Sequence, residues 1–245
     1  MDDRLVYEKR ILIRSEQVDM TRTLRISELF RIMEEASIAH TEELGCTRRK
    51  TLDRGLLWVI ARQSADIEEM PRYDDEIIIR SWQGEMIQMF FPRFYEIWKE
   101  GRCIIRGYAF WTLIDEKSRE MIMPEDYDIS IPARPGSEEI YIQAVVVPKN
   151  AEPSDVKRLR VGFSQVDING HMNNTRYFDL VDDMLWEEAS GSGSGQISKP
   201  CSILANYVSE LKAGTEITIN EYRSGDSVFF EGSKDKTSFR IRYTY

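Results

Sequence analysis

The chain has 245 residues, too many for one small domain and enough for two domains of modest size. Hydrophobic residues make up 42% and charged residues 31%, a globular composition that excludes a disordered chain. The net charge of −9 disfavours a nucleic-acid-binding protein, because such proteins usually carry a basic surplus.

The cysteines and the N-terminus indicate a compartment. The chain has an odd number of cysteines, which are widely spaced and form no CxxC motif: Cys46, Cys103 and Cys201. We therefore expect free thiols and no structural zinc. The N-terminus is charged from its second residue and lacks the apolar region of a signal peptide. No apolar run approaches the roughly 18 residues of a membrane span, and no phosphate-binding glycine motif occurs. We therefore expect a cytoplasmic protein without a membrane span, a metal or a cofactor.

In the first half, residues 4–14 have the pattern of a strand, and residues 24–44 have that of a helix. Gly45 follows the last apolar residue of this pattern and suits a helix end. Pro92 predicts a sheet edge or a bulge where it occurs. Four further strands are predicted at 56–68, 76–83, 89–99 and 103–114.

Prolines are concentrated in the middle of the chain, where residues 126–156 are predicted to be a linker. After it come a strand at 157–165 and a helix at 173–189, which Asn173 or Asn174 can cap. The GSGSG sequence at 191–195 is predicted to be a flexible loop. The remaining strands are predicted at 201–211, 215–223, 226–233 and 237–244.

The two halves repeat each other. Gln17-Val18-Asp19 reappears as Gln165-Val166-Asp167, and each copy lies between a predicted strand and a predicted helix. We expect an α+β protein with an N-terminal domain at 1–125, a linker at 126–156 and a C-terminal domain at 157–245. Each domain is expected to be a long helix wrapped by a curved antiparallel sheet.

Two segments carry a family resemblance. The sequence DINGHMNNTRY at 167–177 resembles the core signature of acyl-carrier-protein (acyl-ACP) thioesterases, and ANYVSEL at 205–211 resembles the later strand that supplies their catalytic Glu. The resemblance implies two tandem hotdog domains, with catalysis in the second. It also implies a hydrolase that releases free fatty acid from acyl-ACP in fatty acid biosynthesis, with the phosphopantetheine-bearing carrier as its partner.

Residue by residue, the resemblance implies a catalytic cluster of Asp167, Asn169, His171 and Glu210. In plant members a Cys follows this Glu, whereas here the next residue is Leu211. A cysteine nucleophile at that place is therefore excluded.

Thioester hydrolysis needs an activated water, a donor for the carbonyl oxygen and a dry groove for the acyl chain. We expect Glu210, on an apolar strand and helped by His171, to activate the water. Asn169 and the N–H groups at the helix start would polarise the carbonyl. The residues leave open whether the Glu and His roles are exchanged.

The first repeat lacks this chemistry. Asp19, Thr21 and Thr23 align with the Asp, Asn and His of the second repeat, so we expect the first domain to be catalytically silent and to build the acyl pocket. His40 could face that pocket, but a His favoured by the dipole at a helix C-terminus is the preferred interpretation.

Two larger sets of residues are candidates for binding. The acyl channel is predicted to be lined by Trp58, Met86, Met89, Phe91, Phe110 and Trp111. Carrier docking is predicted at the basic residues Arg48, Arg49, Lys50, Lys157, Arg158 and Arg160.

Other functions remain open at this point. The same site would serve an acyl-CoA thioesterase, and a non-catalytic acyl-binding hotdog would not need Asn169, His171 and Glu210 together. A hotdog dehydratase fits the motif less well. The sequence also leaves open whether the chain forms a homodimer.

Overall fold

The computed structural model describes residues 3–138, 140–149, 151–191 and 198–245. Apart from Gly191, the predicted GSGSG loop lies outside the described residues. The chain divides into two compact units. The first comprises Met1–Arg25 and Leu29–Ile142, and the second comprises Ile26–Glu28 and Gln143–Tyr245.

Among the described residues, the first unit contains one α-helix and a five-stranded antiparallel sheet. The strand order is β1-β3-β4-β5-β2. In β3, Ile77, Ile79 and Ser81 are buried and alternate with less buried residues, which is the period of a strand with one face on the core. The elements are β1 (Tyr7–Leu12), α1 (Ile26–Glu43), β2 (Leu56–Ile67), β3 (Glu76–Gln83), β4 (Phe91–Lys99) and β5 (Arg102–Asp115).

Helix α1 packs closely on one face of this sheet. A Cβ built on Gly107 of β5 would lie 2.4 Å from the Met33 methyl group of α1, so Met33 packs directly on the β5 backbone. The Ser37 hydroxyl lies 2.5 Å from the Tyr95 hydroxyl of β4. The residues of β4 and β5 that share the face of Tyr95 therefore point towards α1.

The second unit has the same composition of elements. Its strand order is β7-β10-β9-β8-β6, again antiparallel. The inner face of α2 buries Tyr177, Phe178 and Val181, and the Tyr177 ring lies 4.7 Å from that of Phe239 in β10. The elements are β6 (Asp155–Arg160), α2 (Arg176–Gly191), β7 (Ser202–Tyr207), β8 (Glu216–Ser224), β9 (Ser227–Ser233) and β10 (Thr237–Thr244).

Several boundaries differ from those predicted. β6 ends at Arg160, and residues 163–165 form a 3-10 helix instead of a strand. No strand occurs in the described residues between β5 and β6. The prediction of an edge or a bulge at Pro92 was wrong, since β4 lies between β3 and β5 and its irregularity falls after Ile97. Pro92 is tolerated because it lies beyond Gln83, the last residue of β3, and bonds there through its carbonyl, which accepts the Gly84 amide at 2.9 Å.

Candidate active site

The candidate site is built on a tight turn ahead of α2. The Asp167 amide donates to the His171 carbonyl at 2.9 Å, and the Gly170 amide donates to the Asp167 carbonyl at 3.1 Å. Gly170 has a φ of 78°, the left-handed conformation that glycine adopts without strain. The Asp167 carboxylate accepts the Asn169 amide N–H at 2.8 Å. Asp167 therefore holds the backbone of the turn.

Glu210 is held beside this turn by bonds on both sides of it. The Ser209 amide donates to the Ser238 carbonyl at 3.1 Å, and the Met172 amide donates to the Leu211 carbonyl at 2.7 Å. The second bond ties the residue after His171 to the residue after Glu210. The backbone itself therefore brings the two side chains together.

The predicted strand at 201–211 was too long. β7 ends at Tyr207, and Glu210 is exposed on the segment that follows. The expectation that Glu210 lies on an apolar strand was therefore wrong. The apolar pattern continues to Leu211, but the backbone leaves β7 to bond with Ser238 and Met172.

His171 and Glu210 face each other directly. His171 Nε2 lies 3.4 Å from Glu210 Oε2, and the two side chains are 14% and 37% exposed, respectively. The imidazole is sheltered while the carboxylate still reaches water. A carboxylate in this position can accept a proton from water and orient the ring, which is the pairing needed to activate a nucleophile.

The Tyr177 side chain is buried close to Asp167 of the turn. Burial raises the pKa of its hydroxyl, and the negative charge of Asp167 raises it further. Its ring packs edge-on against Tyr207 at 5.5 Å, and the Tyr207 hydroxyl donates to the Asn174 carbonyl at 3.0 Å. The sequence pattern indicated Tyr177 only as an apolar position of the helix.

Asn169 and the start of α2 lie on either side of His171 in the chain. Asn169 is exposed at the tip of the turn, and α2 begins at Arg176. The Asn173 side chain accepts the Thr175 amide at 2.9 Å and its hydroxyl at 2.6 Å, so the segment between the turn and the helix is itself ordered by hydrogen bonds.

The first unit contains the same turn without the imidazole. The Asp19 amide donates to the Thr23 carbonyl at 2.9 Å, and the Asp19 carboxylate accepts the Thr21 amide at 2.8 Å. Arg22 has the left-handed conformation, with a φ of 63°. Thr23 therefore occupies the place of His171.

The first unit also has a different residue at the position equivalent to Glu210. The Leu24 amide donates to the Pro71 carbonyl at 2.8 Å, as Met172 does to Leu211, and the Glu69 amide bonds to the Ile104 carbonyl. Met70 therefore stands where the second unit has its carboxylate.

Comparison with known proteins identifies the family. Residues 4–129 match the family model described as the acyl-ACP thioesterase N-terminal domain, and residues 148–244 match its C-terminal domain. The chain belongs to the acyl-ACP thioesterase family. Among curated relatives, the chloroplastic oleoyl-acyl carrier protein thioesterase 2 of Arabidopsis thaliana is 23% identical over 210 residues, which cover 77% of this chain and 56% of that protein.

Two solved structures of the family share the fold. The acyl-ACP thioesterase from Bacteroides thetaiotaomicron superposes with a TM-score of 0.80 at 19% identity, covering 100% of this chain and 99% of that one. The 12:0-ACP thioesterase from Umbellularia californica gives 0.77 at 17% identity, covering 98% and 93%. The chain therefore has the hotdog-type fold of these thioesterases, an antiparallel sheet with a few helices.

The chain spans about half the length of the curated relatives it matches, for example 46% of an acyl-[acyl-carrier-protein] hydrolase of Cuphea viscosissima and 56% of the Arabidopsis protein. Within the described residues, no helix is both long and apolar enough to cross a membrane.

The residues predicted to line the acyl channel of this thioesterase-family chain do not share one face. Phe91 and Trp111 are paired across β4 and β5 on the α1 face, and the Trp58 ring meets Phe91 edge-on at 5.0 Å. Phe110 precedes Trp111 in β5 and lies on the opposite face. The two methionines, Met86 and Met89, lie between β3 and β4.

The basic residues predicted to dock the carrier fall into two places. Arg48, Arg49 and Lys50 form an exposed 3-10 helix in the first unit, where Arg48 pairs with Asp53 at 2.8 Å. In β6, Lys157 pairs with Glu187, Arg160 donates to the Gly214 carbonyl, and Arg158 is exposed.

His40 does not act as a charged residue at a helix end. Its ring is fully buried, and Nε2 lies 2.8 Å from the Arg4 carbonyl oxygen. Burial, aided by the buried Arg93 guanidinium, lowers the pKa of His40 to about 4. The helix-dipole interpretation was wrong, because the ring is neutral near pH 7.

Proposed function

We propose that this protein is an enzyme that hydrolyses fatty acyl-ACP to free fatty acid and ACP, as a step of fatty acid biosynthesis. The observation that carries the proposal is the 3.4 Å contact between His171 Nε2 and Glu210 Oε2, beside a turn held by Asp167. Family membership supports the thioester as substrate, and relatives named as acyl-ACP hydrolases support the carrier.

In the proposed reaction, Glu210 removes a proton from a water molecule as the oxygen attacks the thioester carbonyl carbon. His171 contacts the same carboxylate and stabilises the negative charge that develops on the carbonyl oxygen. The carbon–sulfur bond then breaks, and the departing pantetheine sulfur takes up the proton. Asn169, exposed at the tip of the turn, is proposed to donate to the carbonyl oxygen.

The proposed architecture is two tandem hotdog domains, each a helix wrapped by its sheet. We place the N-terminal domain at 1–125, the linker at 126–156 and the catalytic domain at 157–245. The close approach of α1 to Gly107 supports the wrapping in the first unit. Thr23 and Met70 support the proposal that this unit is silent and serves the acyl chain, with Trp58, Phe91 and Trp111 the best-placed lining residues.

The cytoplasm is the proposed location. Cys46 and Cys103 are buried and all three cysteines are free thiols, which suits a reducing compartment.

The test is free-thiol release from a panel of acyl-ACPs and acyl-CoAs. We expect turnover of acyl-ACP by the wild type, and a loss of about 10²- to 10⁴-fold in kcat/KM in Glu210→Gln and His171→Ala, because each removes half of the proton-transfer pair. Thr23→Ala is the matched control, at the equivalent place in the silent turn, and should retain full activity.

Each contrary result has a distinct meaning. Faster turnover of acyl-CoA than of acyl-ACP would identify an acyl-CoA thioesterase instead. Tight acyl-chain binding without turnover of any thioester would make this an acyl-binding protein. Equal loss in Thr23→Ala and His171→Ala would contradict the silent first domain.

A further inference from the structure

Three large apolar side chains are exposed on the segments that carry His171 and Glu210 or bond to them. Phe163 is 88% exposed, Ile168 is 90% exposed and Val208 is 61% exposed. Such residues are normally scattered singly on a protein surface, whereas a group of them marks an interaction site.

These residues come from three segments that hydrogen bonds join into one edge of the second unit. The Gln165 side chain accepts the Gly162 amide at 2.8 Å, and the Gln165 carbonyl accepts the Asn173 amide at 2.9 Å. The bond from Met172 to Leu211 adds the segment after β7. The 3-10 helix, the catalytic turn and that segment are therefore tied to one another by their own backbones.

The repeat within the chain provides an internal comparison. The 3-10 helix at Ser15–Gln17 matches that at Phe163–Gln165, and the Glu68 amide bonds to the Ile104 carbonyl as the Val208 amide bonds to that of Ser238. The equivalents of Phe163, Ile168 and Val208 are Ser15, Met20 and Glu68. Two of the three positions are polar in the first unit, so the fold itself does not require apolar residues there.

Positive charge lies beside the three apolar residues. Arg158 is exposed in β6, the strand that leads to Phe163, and Lys212 is exposed next to Leu211. The Arg160 guanidinium bonds to Gly214 and faces Glu216 across the strand pair. The chain as a whole carries a net charge of −9. A positive rim on an acidic body favours an acidic partner over a second copy of this chain.

We propose that Phe163, Ile168 and Val208, flanked by Arg158 and Lys212, form the docking surface for the acidic carrier protein that delivers the thioester. This inference rests on the proposed function and assigns its partner to one edge of the second unit. The apolar residues exclude water at the contact, and the two cations steer the carrier to the catalytic turn.

The experiment compares two thioesters of one acyl chain, the ACP-borne thioester and its N-acetylcysteamine analogue. Phe163→Ser and Ile168→Ser are expected to raise KM for acyl-ACP by about 5-fold or more with kcat unchanged. Neither should alter kinetics on the small thioester, which has no carrier to dock and which also reports that the variants are folded. Met20→Ser is the matched control, because Met20 is the exposed equivalent of Ile168, and should change neither substrate's kinetics.

Charge reversal tests the second part of the surface. Arg158→Glu and Lys212→Glu should each raise KM for acyl-ACP by about 10-fold at low salt, and the difference from wild type should shrink as salt screens the charges. Unchanged KM in all four variants, or equal loss on both thioesters, would overturn the docking surface while leaving the hydrolase intact. If the wild type hydrolyses neither thioester, the proposed function fails and the docking surface fails with it.

Discussion

Asp182 is a partly buried carboxyl group of the second unit. It lies on α2 and accepts the Tyr243 hydroxyl at 2.9 Å. Burial raises the pKa of Asp182 from 3.8 to about 7, and the neighbouring carboxylates of Asp179 and Asp183 act in the same direction. Lys199 and the Tyr243 hydrogen bond oppose the shift without cancelling it. The folded protein therefore favours the protonated form of this group.

This shift predicts how stability depends on pH. Between about pH 4 and pH 7 the folded state holds a proton at Asp182 that the unfolded state has released, so the free energy of unfolding falls as pH rises, by at most about 1.4 kcal/mol per pH unit. Asp182→Asn keeps an acceptor for Tyr243 and removes the titration. The free energy of unfolding of the variant, relative to that of the wild type, should rise through this pH range and stay constant above it. Urea unfolding at each pH measures this difference. A stability difference that does not change with pH would contradict the raised pKa of Asp182. Asp226→Asn, which removes an exposed carboxyl, is the control.

At the scale of elements, the pairing of β9 with β10 depends on a glycine, Gly232, that leaves room for an aromatic ring. Gly232 is paired with Phe239, and a Cβ at Gly232 would lie 1.9 Å from an atom of the fully buried Phe239 ring. The same ring packs on Tyr177, which lies beside Asp167. The absence of a side chain at Gly232 therefore fixes an aromatic contact that supports the catalytic turn.

Gly232→Ala should destabilise the protein by about 2–3 kcal/mol, because the ring has to leave a packed position. Thermal unfolding measures this, and Gly191→Ala is the control, since a Cβ there would meet no atom within 4 Å. A wild-type melting temperature for Gly232→Ala would contradict the tight contact.

Periodicity predicted the interiors of these elements better than their ends. The helix predicted at 24–44 is α1, and the strand at 76–83 matches β3 residue for residue. The strand predicted at 201–211 was too long because the alternation of apolar residues continues after the backbone has left the sheet. Such an ending is decided by hydrogen bonds from distant parts of the chain, here Ser238 and Met172, which a local pattern does not contain.

Across the whole molecule, the repeat made half of the site predictable. The shared Gln-Val-Asp sequence marks both turns, and it identifies Thr23 as the equivalent of His171. It could not identify the equivalent of Glu210, because β2 is longer than β7 and a constant spacing of 148 residues leads to Arg62. The bond from Leu24 to Pro71, together with the bonds from Glu68 and Glu69 to Ile104, reveals that Met70 is the equivalent residue.

This asymmetry predicts that an imidazole alone will not restore the site in the first unit. In a His171→Ala background, Thr23→His should recover no thioesterase activity, because the residue equivalent to Glu210 is Met70, whose thioether replaces the carboxylate. Thiol release from acyl-ACP measures this, with the small thioester as a second substrate so that carrier docking does not limit the result. Recovery of activity by Thr23→His would contradict the requirement for a His–Glu pair and would identify the imidazole as sufficient. Continued inactivity supports the conclusion that the two units diverged at both members of the pair, the imidazole in the turn and the carboxylate in the segment bonded to it.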